Sequence, residues 1–325
     1  MQVFVTGGSG FVGRNIIRAL VARGDRVHAL ARSDAALQAV AALGAQGIRG
    51  DLHDLAAMQT GMKGCTVVFH AAAQVTDWGD PQLYHDINVR GTENVLTAAR
   101  AAGVKRVVHI STEAVLANGM PLHNVDETRP RPDDALPRYP QSKGLAEAAV
   151  LKANGGGMHT VVVRPRFIWG RDDTSLLPQI LAAVRQGKFM WIDGGRYLSS
   201  TCHIDNVVEG CLLAAEKGRP AGIYFLTDGV PVEFREFLTQ LLATQGVAPG
   251  NKSLPRALAW TLAVISEAIW NLFRVKSPPP ITRVVVNLIG QEVTVNDAKA
   301  RRELGYQSKM SRAAGLADLV ARATR

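Results

Sequence analysis

A tyrosine and a lysine four residues apart, Tyr139 and Lys143, form the clearest chemical signal in the sequence. Residues four apart share one face of a helix, so the phenol and the ammonium would point the same way. Pro140 suits the first turn of a helix, which would place Tyr139 at the positive end of that helix. That pole and the lysine would lower the tyrosine pKa from its ordinary value of about 10. The pair therefore predicts proton exchange with an alcohol or a ketone near neutral pH.

A third polar group is needed to hold the reacting oxygen. Ser111 and Thr112 directly follow a predicted strand at residues 106–110. Ligands bind at the carboxyl ends of the strands in open α/β sheets. Either hydroxyl meets this expectation, and residue type and position alone do not choose between them.

A glycine-rich loop at residues 6–13 follows the first predicted strand and opens a helix. Glycines in such a turn let the backbone approach a pyrophosphate, which then lies at the helix N-terminus. The strand–turn–helix context makes the motif specific for a dinucleotide. The predicted contacts are Gly7, Ser9, Gly10, Phe11, Val12, Gly13 and Arg14.

The end of the second predicted strand indicates which nucleotide binds. An acidic residue there would bind the ribose hydroxyls of NAD, whereas a basic residue accommodates the extra phosphate of NADP. Ala31 stands at this place and Arg32 and Ser33 follow it, while Asp34 could instead begin the next helix. The sequence thus favours NADP(H), with NAD(H) as the alternative.

Two further segments are predicted to contact the cofactor. Asp51 and Leu52 follow the third strand, where the carboxylate could accept from the adenine amino group; a solvated turn is the alternative. Ala71, Ala72 and Ala73 follow the fourth strand, and their small side chains would let the backbone pass close to a nucleotide.

Short apolar strands alternate with helical segments through the first half of the chain. The predicted strands lie at residues 2–6, 26–30, 46–49, 66–70, 106–110 and 160–164, and the main helices at 13–23, 88–102 and 143–154. This alternation predicts an α/β fold of the Rossmann type, with a doubly wound parallel sheet. We expect residues 1–170 to form the nucleotide-binding domain, to which 201–227 return, and 171–200 with 228–325 to form a smaller, mostly helical substrate lobe.

The composition of the 325-residue chain is that of a globular protein, with 47% hydrophobic and 20% charged residues. It excludes collagen, coiled coils, disulfide scaffolds and intrinsic disorder. The three cysteines, Cys65, Cys202 and Cys211, are widely spaced, which indicates reduced structural thiols and no metal site. No signal peptide precedes the first strand, so we expect a cytoplasmic protein.

The net charge of +9 is concentrated near the C-terminus, since residues 252–325 hold twelve basic and five acidic residues. Residues 257–273 carry apolar side chains at helical spacing, and Glu267 interrupts them, which argues against a membrane-spanning helix. The segment is either a packed helix of the second lobe or an interfacial helix or lid. The second alternative gives a peripheral membrane contact through residues 254–276. No nucleic-acid partner is expected.

The motifs quoted above resemble the extended short-chain dehydrogenase/reductase family, and the resemblance covers nearly the whole chain. It implies that Tyr139 is the general acid/base, that Lys143 binds the nicotinamide ribose and lowers the tyrosine pKa, and that Thr112 holds the reacting oxygen. Threonine is a departure from the commoner serine. The resemblance also places Asn88 and Pro165 on the cofactor side of the site, and implies a homodimer formed through the helices near residues 88–102 and 143–154.

Residues 164–170 look like the Arg-Pro-x-x-Ile-Tyr-Gly stretch of 3β-hydroxysteroid dehydrogenases. Phe167 stands where sugar-nucleotide epimerases usually carry asparagine, and an apolar ring suits an apolar substrate. We therefore expect Phe167 and Trp169 to contact the substrate. The chain looks most similar to the 3β-hydroxysteroid dehydrogenase and sterol-4α-carboxylate 3-dehydrogenase branch, near the 2-alkyl-3-oxoalkanoate reductases.

These observations predict an NADP(H)-dependent oxidoreductase that interconverts a 3-hydroxyl and a 3-ketone on a hydrophobic small molecule, sterol-like or 2-alkyl-3-oxoacyl. One alternative is a sugar-nucleotide epimerase or dehydratase with tightly bound NAD, which Phe167 and the pair Ala31 and Arg32 argue against. Another is a catalytically silent NADP-binding sensor. The complete set of Tyr139, Lys143 and Thr112 argues against a sensor, which has no use for these side chains.

Overall fold

The computed structural model describes residues 1–76 and 78–323. The helices are α1 (Phe11–Ala22), α2 (Asp34–Ala41), α3 (Leu55–Met62), α4 (Pro81–Tyr84), α5 (Gly91–Ala101), α6 (Tyr139–Lys152), α7 (Leu176–Arg185), α8 (Ile204–Lys217), α9 (Phe234–Ala243), α10 (Arg256–Leu272), α11 (Arg283–Ile289), α12 (Ala298–Leu304) and α13 (Arg312–Ala323). Short π and 3₁₀ segments occupy His85–Arg90, Glu113–Leu116 and Asp193–Gly195. The strands are β1 (Gln2–Thr6), β2 (Arg26–Ala31), β3 (Gln46–Arg49), β4 (Val67–His70), β5 (Arg106–Ile110), β6 (Leu122–Val125), β7 (His159–Pro165), β8 (Ile168–Trp169), β9 (Trp191–Ile192), β10 (Leu198–Ser199), β11 (Cys202–His203), β12 (Gly222–Leu226), β13 (Val232–Glu233), β14 (Ser253–Leu254) and β15 (Val293–Val295).

Seven parallel strands form the main sheet, in the order β12-β7-β5-β4-β1-β2-β3. Alternate residues of each strand point to opposite faces, so Val3 and Val5 join one core with helices α1 and α8, and Phe4 joins another with α3 and α5. Both faces are therefore covered by helices, as parallel sheets require. The sheet confirms the predicted Rossmann-type fold.

Two helix starts differ from the sequence prediction in a way that matters for the site. Helix α1 begins at Phe11, two residues early, because Gly10 takes the extended N-cap conformation. Helix α6 begins at Tyr139 itself, with Pro140 in its first turn and Arg138 at a φ of +65° before it. Tyr139 and Lys143 thus lie one turn apart at the start of the same helix.

A second, smaller sheet has the order β13-β10-β15-β6 and adjoins a core that includes Trp191 and Phe237. Strand β6 of this sheet comes from the first half of the chain. In the other direction, α12 packs on α8 and β12, and its Ala300 and Leu304 belong to the main-sheet core. The chain therefore crosses between the two parts several times.

Helix α10 presents one buried and one exposed face. Ala259, Ala263 and Glu267 are buried, and the Glu267 carboxylate accepts from the backbone N and from Nε of Arg283 at 2.7 and 2.8 Å. The large apolar side chains on the other face are exposed: Leu258, Leu262, Val264, Ile265, Ile269 and Leu272, with Phe273 just beyond. Within residues 1–76 and 78–323, no helix has the length and apolarity needed to cross a bilayer.

Candidate active site

The glycine loop forms a tight turn against the sheet. Gly7 has a φ of +69°, and a Cβ there would lie 2.6 Å from the backbone N of Ala72. A Cβ on Gly13 would overlap the carbonyl oxygen of Gly7, so only glycine lets α1 pack this closely. Gly10 is the N-cap residue of α1 and has no side chain that could accept a hydrogen bond. The N–H groups of the first helical turn therefore face the loop without a side-chain acceptor. The loop therefore fits the pyrophosphate of a dinucleotide.

The residues after β2, which were predicted to select the nucleotide, differ in their contacts. Ser33 Oγ accepts from Ala36 N at 3.2 Å and caps α2, and Asp34 is the first residue of that helix. The Asp34 carboxylate also pairs with Arg49. Arg32 is exposed beside them. Asp34 thus lies in the first turn of α2 and forms an ion pair with Arg49, whereas the guanidinium of Arg32 faces solvent.

The remaining predicted cofactor contacts lie around the loop. Arg14 Nη2 donates to Ser9 O at 2.7 Å, which folds this side chain over the turn. Asp51 is exposed and accepts from His53 N at 2.7 Å, whereas Leu52 is buried and its carbonyl accepts from Asn94. The backbone N of Ala72 donates to Thr6 Oγ1 at 3.3 Å, and Ala71, Ala72 and Ala73 are all partly buried.

The two hydroxyls after β5 have different partners. Ser111 Oγ donates to Glu147 Oε2 at 2.7 Å, away from the tyrosine. Thr112 Oγ1 donates to Glu113 Oε2 at 2.9 Å and accepts from the backbone N of Ala114 at 3.2 Å. Of the two hydroxyls, only that of Thr112 acts on the pKa of Tyr139.

Lys143 is buried, and its ammonium is held at the end of β5. Nζ donates to Ile110 O at 2.8 Å and lies 3.2 Å from His109 Nε2. Burial lowers the pKa of Lys143 to about 8, against an opposing attraction from Glu147. The side chain lies near the strand ends where ligands bind in this fold.

The pKa of Tyr139 shows that one part of the sequence prediction was wrong. The helix pole and Lys143 were expected to lower it, but it is raised. Burial is the main cause because it removes the hydration of a phenolate, and the negative charge of Glu113 adds to it. The hydrogen bond with Thr112 acts in the opposite direction but does not outweigh these effects.

Asn88 lies in the π segment His85–Arg90 and connects the loop after β4 to helix α6. Its Nδ2 donates to Ser142 Oγ at 2.9 Å and to Gln74 O at 3.0 Å, and its Oδ1 accepts from Gln74 N at 2.7 Å. Ser142 Oγ in turn donates to the carbonyl of Tyr139 at 3.0 Å. Asn88 thus braces the first turn of α6.

The segment around Pro165 is fixed by a buried ion pair. Arg164 Nε donates to Glu147 Oε2 at 3.0 Å, and a second guanidinium nitrogen binds the other carboxylate oxygen. Pro165 ends β7 and is buried, next to this pair in the chain. The pair ties β7 to α6, the helix that carries Tyr139.

Phe167 and Trp169 lie in the aromatic core of the second part of the chain. Phe167 has a φ of +43° and makes edge contacts with Phe234 and Phe237, with ring centroids 5.6 and 6.0 Å apart. Trp169 Nε1 donates to Asp228 Oδ2 at 2.8 Å. Both rings are buried, and their contact with a substrate stays a prediction.

Sequence reasoning missed three buried polar residues that adjoin the site: His109, Glu113 and Arg166. Arg166 Nη1 lies 3.2 Å from Glu113 Oε1, and Arg166 also binds Ser199 and the carbonyl of Leu288. Each missed residue lies within three positions of a predicted site residue, and a charged residue directly after Thr112 was a usable signal. Residues 1–76 and 78–323 contain no cluster of His, Cys, Asp or Glu suited to hold a metal ion.

With this geometry in place, comparison with known proteins decides the family. The model of the 3-beta hydroxysteroid dehydrogenase/isomerase family matches residues 4–256. The chain belongs to this family. Its relatives are named as dehydrogenases and reductases, so this family member is an NAD(P)-dependent oxidoreductase of the extended short-chain dehydrogenase/reductase type. This confirms the predicted family and enzyme class.

Two curated relatives and one solved structure illustrate the similarity. A 4-hydroxy-2-methyl-3-oxo-4-farnesyl-3,4-dihydroquinoline-1-oxide ketoreductase from Stigmatella aurantiaca is 53% identical over 97% of this chain and 95% of its own. A 2-alkyl-3-oxoalkanoate reductase from Stenotrophomonas maltophilia (strain K279a) is 36% identical over 99% of both chains. The crystal structure of a DesIV double mutant, a dTDP-glucose 4,6-dehydratase from Streptomyces venezuelae with NAD and DAU bound, superposes with a TM-score of 0.77. It covers 99% of this chain and 96% of its own at 24% identity, and shows the fold alone.

Proposed function

We propose that the protein reduces a ketone to a secondary alcohol, or the reverse, on a hydrophobic small molecule with NADP(H) as cofactor. The observation that carries the proposal is the placement of Tyr139 and the buried Lys143 one turn apart at the start of α6, with the Thr112 hydroxyl acting on the phenol. A phenol next to a second hydroxyl can give a proton to a carbonyl oxygen, which is what reduction of a ketone requires. The family membership of the chain agrees with this chemistry.

In the proposed mechanism each side chain has a separate role. When bound, the nicotinamide supplies or accepts the hydride. Tyr139 gives a proton to the substrate oxygen during reduction and takes it back during oxidation. Thr112 keeps the substrate oxygen and the phenol aligned, and the Lys143 ammonium stabilises negative charge near the phenol and binds the cofactor ribose.

The proposed substrate is apolar around a 3-oxo or 3-hydroxyl group, sterol-like or 2-alkyl-3-oxoacyl. The names of the two curated relatives each state a 3-oxo group, one on a farnesylated ring system and one on an alkanoate. Phe167 supports the apolar character, because it has no polar atom with which to bind a sugar hydroxyl or a uracil. Substrate contact by Phe167 and by Trp169 is part of this proposal.

NADP(H) is proposed over NAD(H) because of the residues after β2. Ala31 offers no carboxylate to the ribose hydroxyls, and Asp34 is held by the start of α2 and by Arg49. The exposed guanidinium of Arg32 supports binding of a 2′-phosphate by a charge-assisted hydrogen bond.

The proposal is tested by following nicotinamide absorbance with NADPH and, separately, with NADH. A 2-alkyl-3-oxoalkanoate is tested as the ketone with these reduced cofactors, and a 3β-hydroxysteroid is tested as the alcohol with the oxidised cofactors. A UDP-sugar is the third substrate. Turnover of a hydrophobic ketone or alcohol, faster with the phosphorylated cofactor, is the expected result. Conversion of the UDP-sugar without net absorbance change would support an epimerase, and nucleotide binding without any turnover would support a sensor.

The exposed face of α10 supports a further part of the proposal, a peripheral contact with an anionic lipid surface through residues 254–276. Glu267 is the only acidic residue between positions 252 and 283, and Arg283 neutralises it. Arg274 and Lys276 are exposed directly after the apolar face. An aliphatic face bordered by cations is complementary to the acyl region and the phosphates of such a membrane.

A further inference from the structure

Arg138 directly precedes Tyr139 and has an uncommon backbone conformation. Its φ is +65°, in the left-handed region that side chains other than glycine rarely adopt. Its carbonyl accepts a hydrogen bond from the backbone N of Ser142 at 2.8 Å, so the conformation of Arg138 sets how the first turn of α6 begins. A residue stays in such a region only where its surroundings hold it there. The contacts of the Arg138 side chain therefore help to fix the position of Tyr139.

The side chain of Arg138 is buried and joins the loop after β4 to helix α10. Its Nε donates to Gly79 O at 3.0 Å, and its Nη2 donates to Asn271 Oδ1 in the last turn of α10 at 2.8 Å. The guanidinium carbon also lies 3.8 Å from the centroid of the Trp78 ring. A planar guanidinium can donate in two directions while its face stacks on an aromatic ring, which suits arginine and not lysine to this place.

A second contact ties the end of α10 to the same loop. Trp78 Nε1 donates to Val275 O at 3.3 Å. The chain turns at Arg274, which has a φ of +50°, and the backbone N of Val275 donates back to Trp270 O at 2.9 Å. The turn that ends α10 is thus hydrogen-bonded both within itself and to Trp78, so the end of this helix is fastened to the loop.

The loop after β4 also reaches α6 by a second route. Thr76 Oγ1 donates to Trp78 O at 3.2 Å, and Gln74 Nε2 donates to Thr76 Oγ1 at 2.9 Å. Gln74 is bonded in turn to Asn88, which braces the first turn of α6. The end of α10 is therefore connected to the start of α6 directly through Arg138 and indirectly through Asn88.

We infer that Arg138 is a positioning residue: it couples the end of α10 to the first turn of α6 and thereby holds Tyr139 in place for proton transfer. This inference rests on the proposed function and deepens it, because it makes the helix with the exposed apolar face part of the structure that aligns the phenol. Proton transfer requires the phenol to lie within hydrogen-bonding distance of the substrate oxygen, so a small displacement of this turn lowers kcat. The glycine loop takes no part in the contacts described above, so the affinity for NADPH is not expected to change.

The test is ketone reduction by Asn271→Ala, which removes the acceptor of Arg138 at an exposed position of α10. We expect kcat to fall by about tenfold while the Kd of NADPH stays within about twofold of wild type. Asn271→Asp offers the guanidinium a charge-assisted hydrogen bond and should restore most of the lost kcat. The matched control is Thr261→Ala, because the exposed Thr261 hydroxyl donates within its own helix, to Ala257 O at 3.0 Å. Equal kcat values for Asn271→Ala and Thr261→Ala would overturn the inference.

A double-mutant cycle tests whether Asn271 acts through Arg138. Arg138→Met keeps an unbranched side chain and removes both donors, so it should lower kcat at least as much as Asn271→Ala does. Adding Asn271→Ala to Arg138→Met should lower kcat no further, because the contact between the two residues is already lost. Losses that multiply in the double variant would show independent effects and would contradict the coupling.

A readout without turnover separates this inference from the proposed function. Backbone hydrogen exchange is measured by mass spectrometry in wild type, Asn271→Ala and Thr261→Ala, all without substrate. Asn271→Ala should speed exchange in the peptide that contains Ser142, whose N–H donates to the Arg138 carbonyl, and Thr261→Ala should not. This result is expected even if no tested ketone is reduced. Unchanged exchange in the first turn of α6 of Asn271→Ala would mean that α10 does not hold this turn.

Discussion

Nζ of Lys143 lies 3.2 Å from Nε2 of His109. An ammonium only donates, so Nε2 must accept, and the single proton of the neutral imidazole is then on Nδ1. That Nδ1 atom is buried and has no hydrogen-bond partner within residues 1–76 and 78–323. His109 is thus a neutral acceptor whose function is to hold the lysine, and its pKa is lowered well below the ordinary range by burial and by the charge of Lys143.

We expect acid to destabilise the fold from about pH 6.5 downward. The pKa of His70 is also lowered by burial, to about 3, so both histidines are neutral in the folded protein while the unfolded chain protonates them. The stabilisation is present above the unfolded pKa and is lost as pH falls, at up to about 1.4 kcal/mol per pH unit for each histidine. Urea unfolding at pH 7, 6 and 5 measures this slope. His109→Leu should reduce it, and an unchanged slope would contradict the assignment.

Tyr139→Phe is expected to lower turnover by about 10²- to 10⁴-fold, because the proton donor is lost. Binding of NADPH should stay within about twofold of wild type, since the ring remains in place. The two quantities are measured by steady-state kinetics and by fluorescence titration. Tyr224→Phe is the matched control, because Tyr224 lies in β12, outside the site, and its hydroxyl donates to Glu303 of α12. Loss of activity in both variants would point to a general effect of removing a buried phenol.

Arg32→Ala is expected to weaken NADPH binding by about tenfold, which corresponds to one charge-assisted hydrogen bond, and to leave NADH binding unchanged. Isothermal titration with each nucleotide measures both affinities. Arg26→Ala serves as control, because Arg26 is exposed at the opposite end of β2. If the NADPH affinity of Arg32→Ala equals that of wild type, Arg32 does not bind the 2′-phosphate.

Glu147→Ala is expected to cost about 3–5 kcal/mol in the free energy of unfolding, because it leaves Arg164 buried without its partner and Ser111 without its acceptor. Urea denaturation at neutral pH gives this value. The matched change Glu93→Ala removes an exposed carboxylate from α5 and should stay within about 0.5 kcal/mol of wild type. Similar losses of unfolding free energy in the two variants would show that the buried ion pair stabilises the protein no more than an exposed carboxylate does.

Co-sedimentation with vesicles that contain anionic phospholipid should show binding at low salt that decreases as salt is added. Leu262→Glu combined with Ile265→Glu places two charges on the exposed face of α10 and should abolish it, whereas Leu83→Glu, at an exposed position in α4, should not. Light scattering after gel filtration completes the test. A change from dimer to monomer in the double variant, without vesicle binding by wild type, would mean that a second copy covers this face.

The local sequence pattern predicted the strands and helices and the positions of most site residues. Strands β1, β3 and β5 have the predicted boundaries, because apolar runs bounded by glycine or polar residues determine a buried parallel strand with little ambiguity. The order of glycines predicted the turn before α1, and the Tyr139–Lys143 spacing predicted their shared helix. Such features depend on residues that are close together in the sequence.

Contacts between distant segments were not predictable in the same way. The pairing of Glu113 with Arg166 joins residues 53 positions apart, and only the sheet brings the ends of β5 and β7 together. The pKa of Tyr139 was mispredicted for the same reason, because it is raised mainly by burial and also by the charge of Glu113, which is distant in the sequence. Residue type and position did not separate Thr112 from Ser111; the family resemblance favoured Thr112, and the hydrogen bond from Ser111 to Glu147 gives the serine hydroxyl another partner.

The close approach of α1 to the carbonyl of Gly7 also affects how a nucleotide binds. The turn is closed by a hydrogen bond from Gly10 N to Gly7 O at 2.9 Å, and the missing side chain of Gly13 lets the helix rest on it. The conformational entropy of this loop is thus lost when the chain folds, at about 1–2 kcal/mol per residue. The dinucleotide meets a preorganised cradle, and its affinity is not reduced by the free energy of ordering the loop.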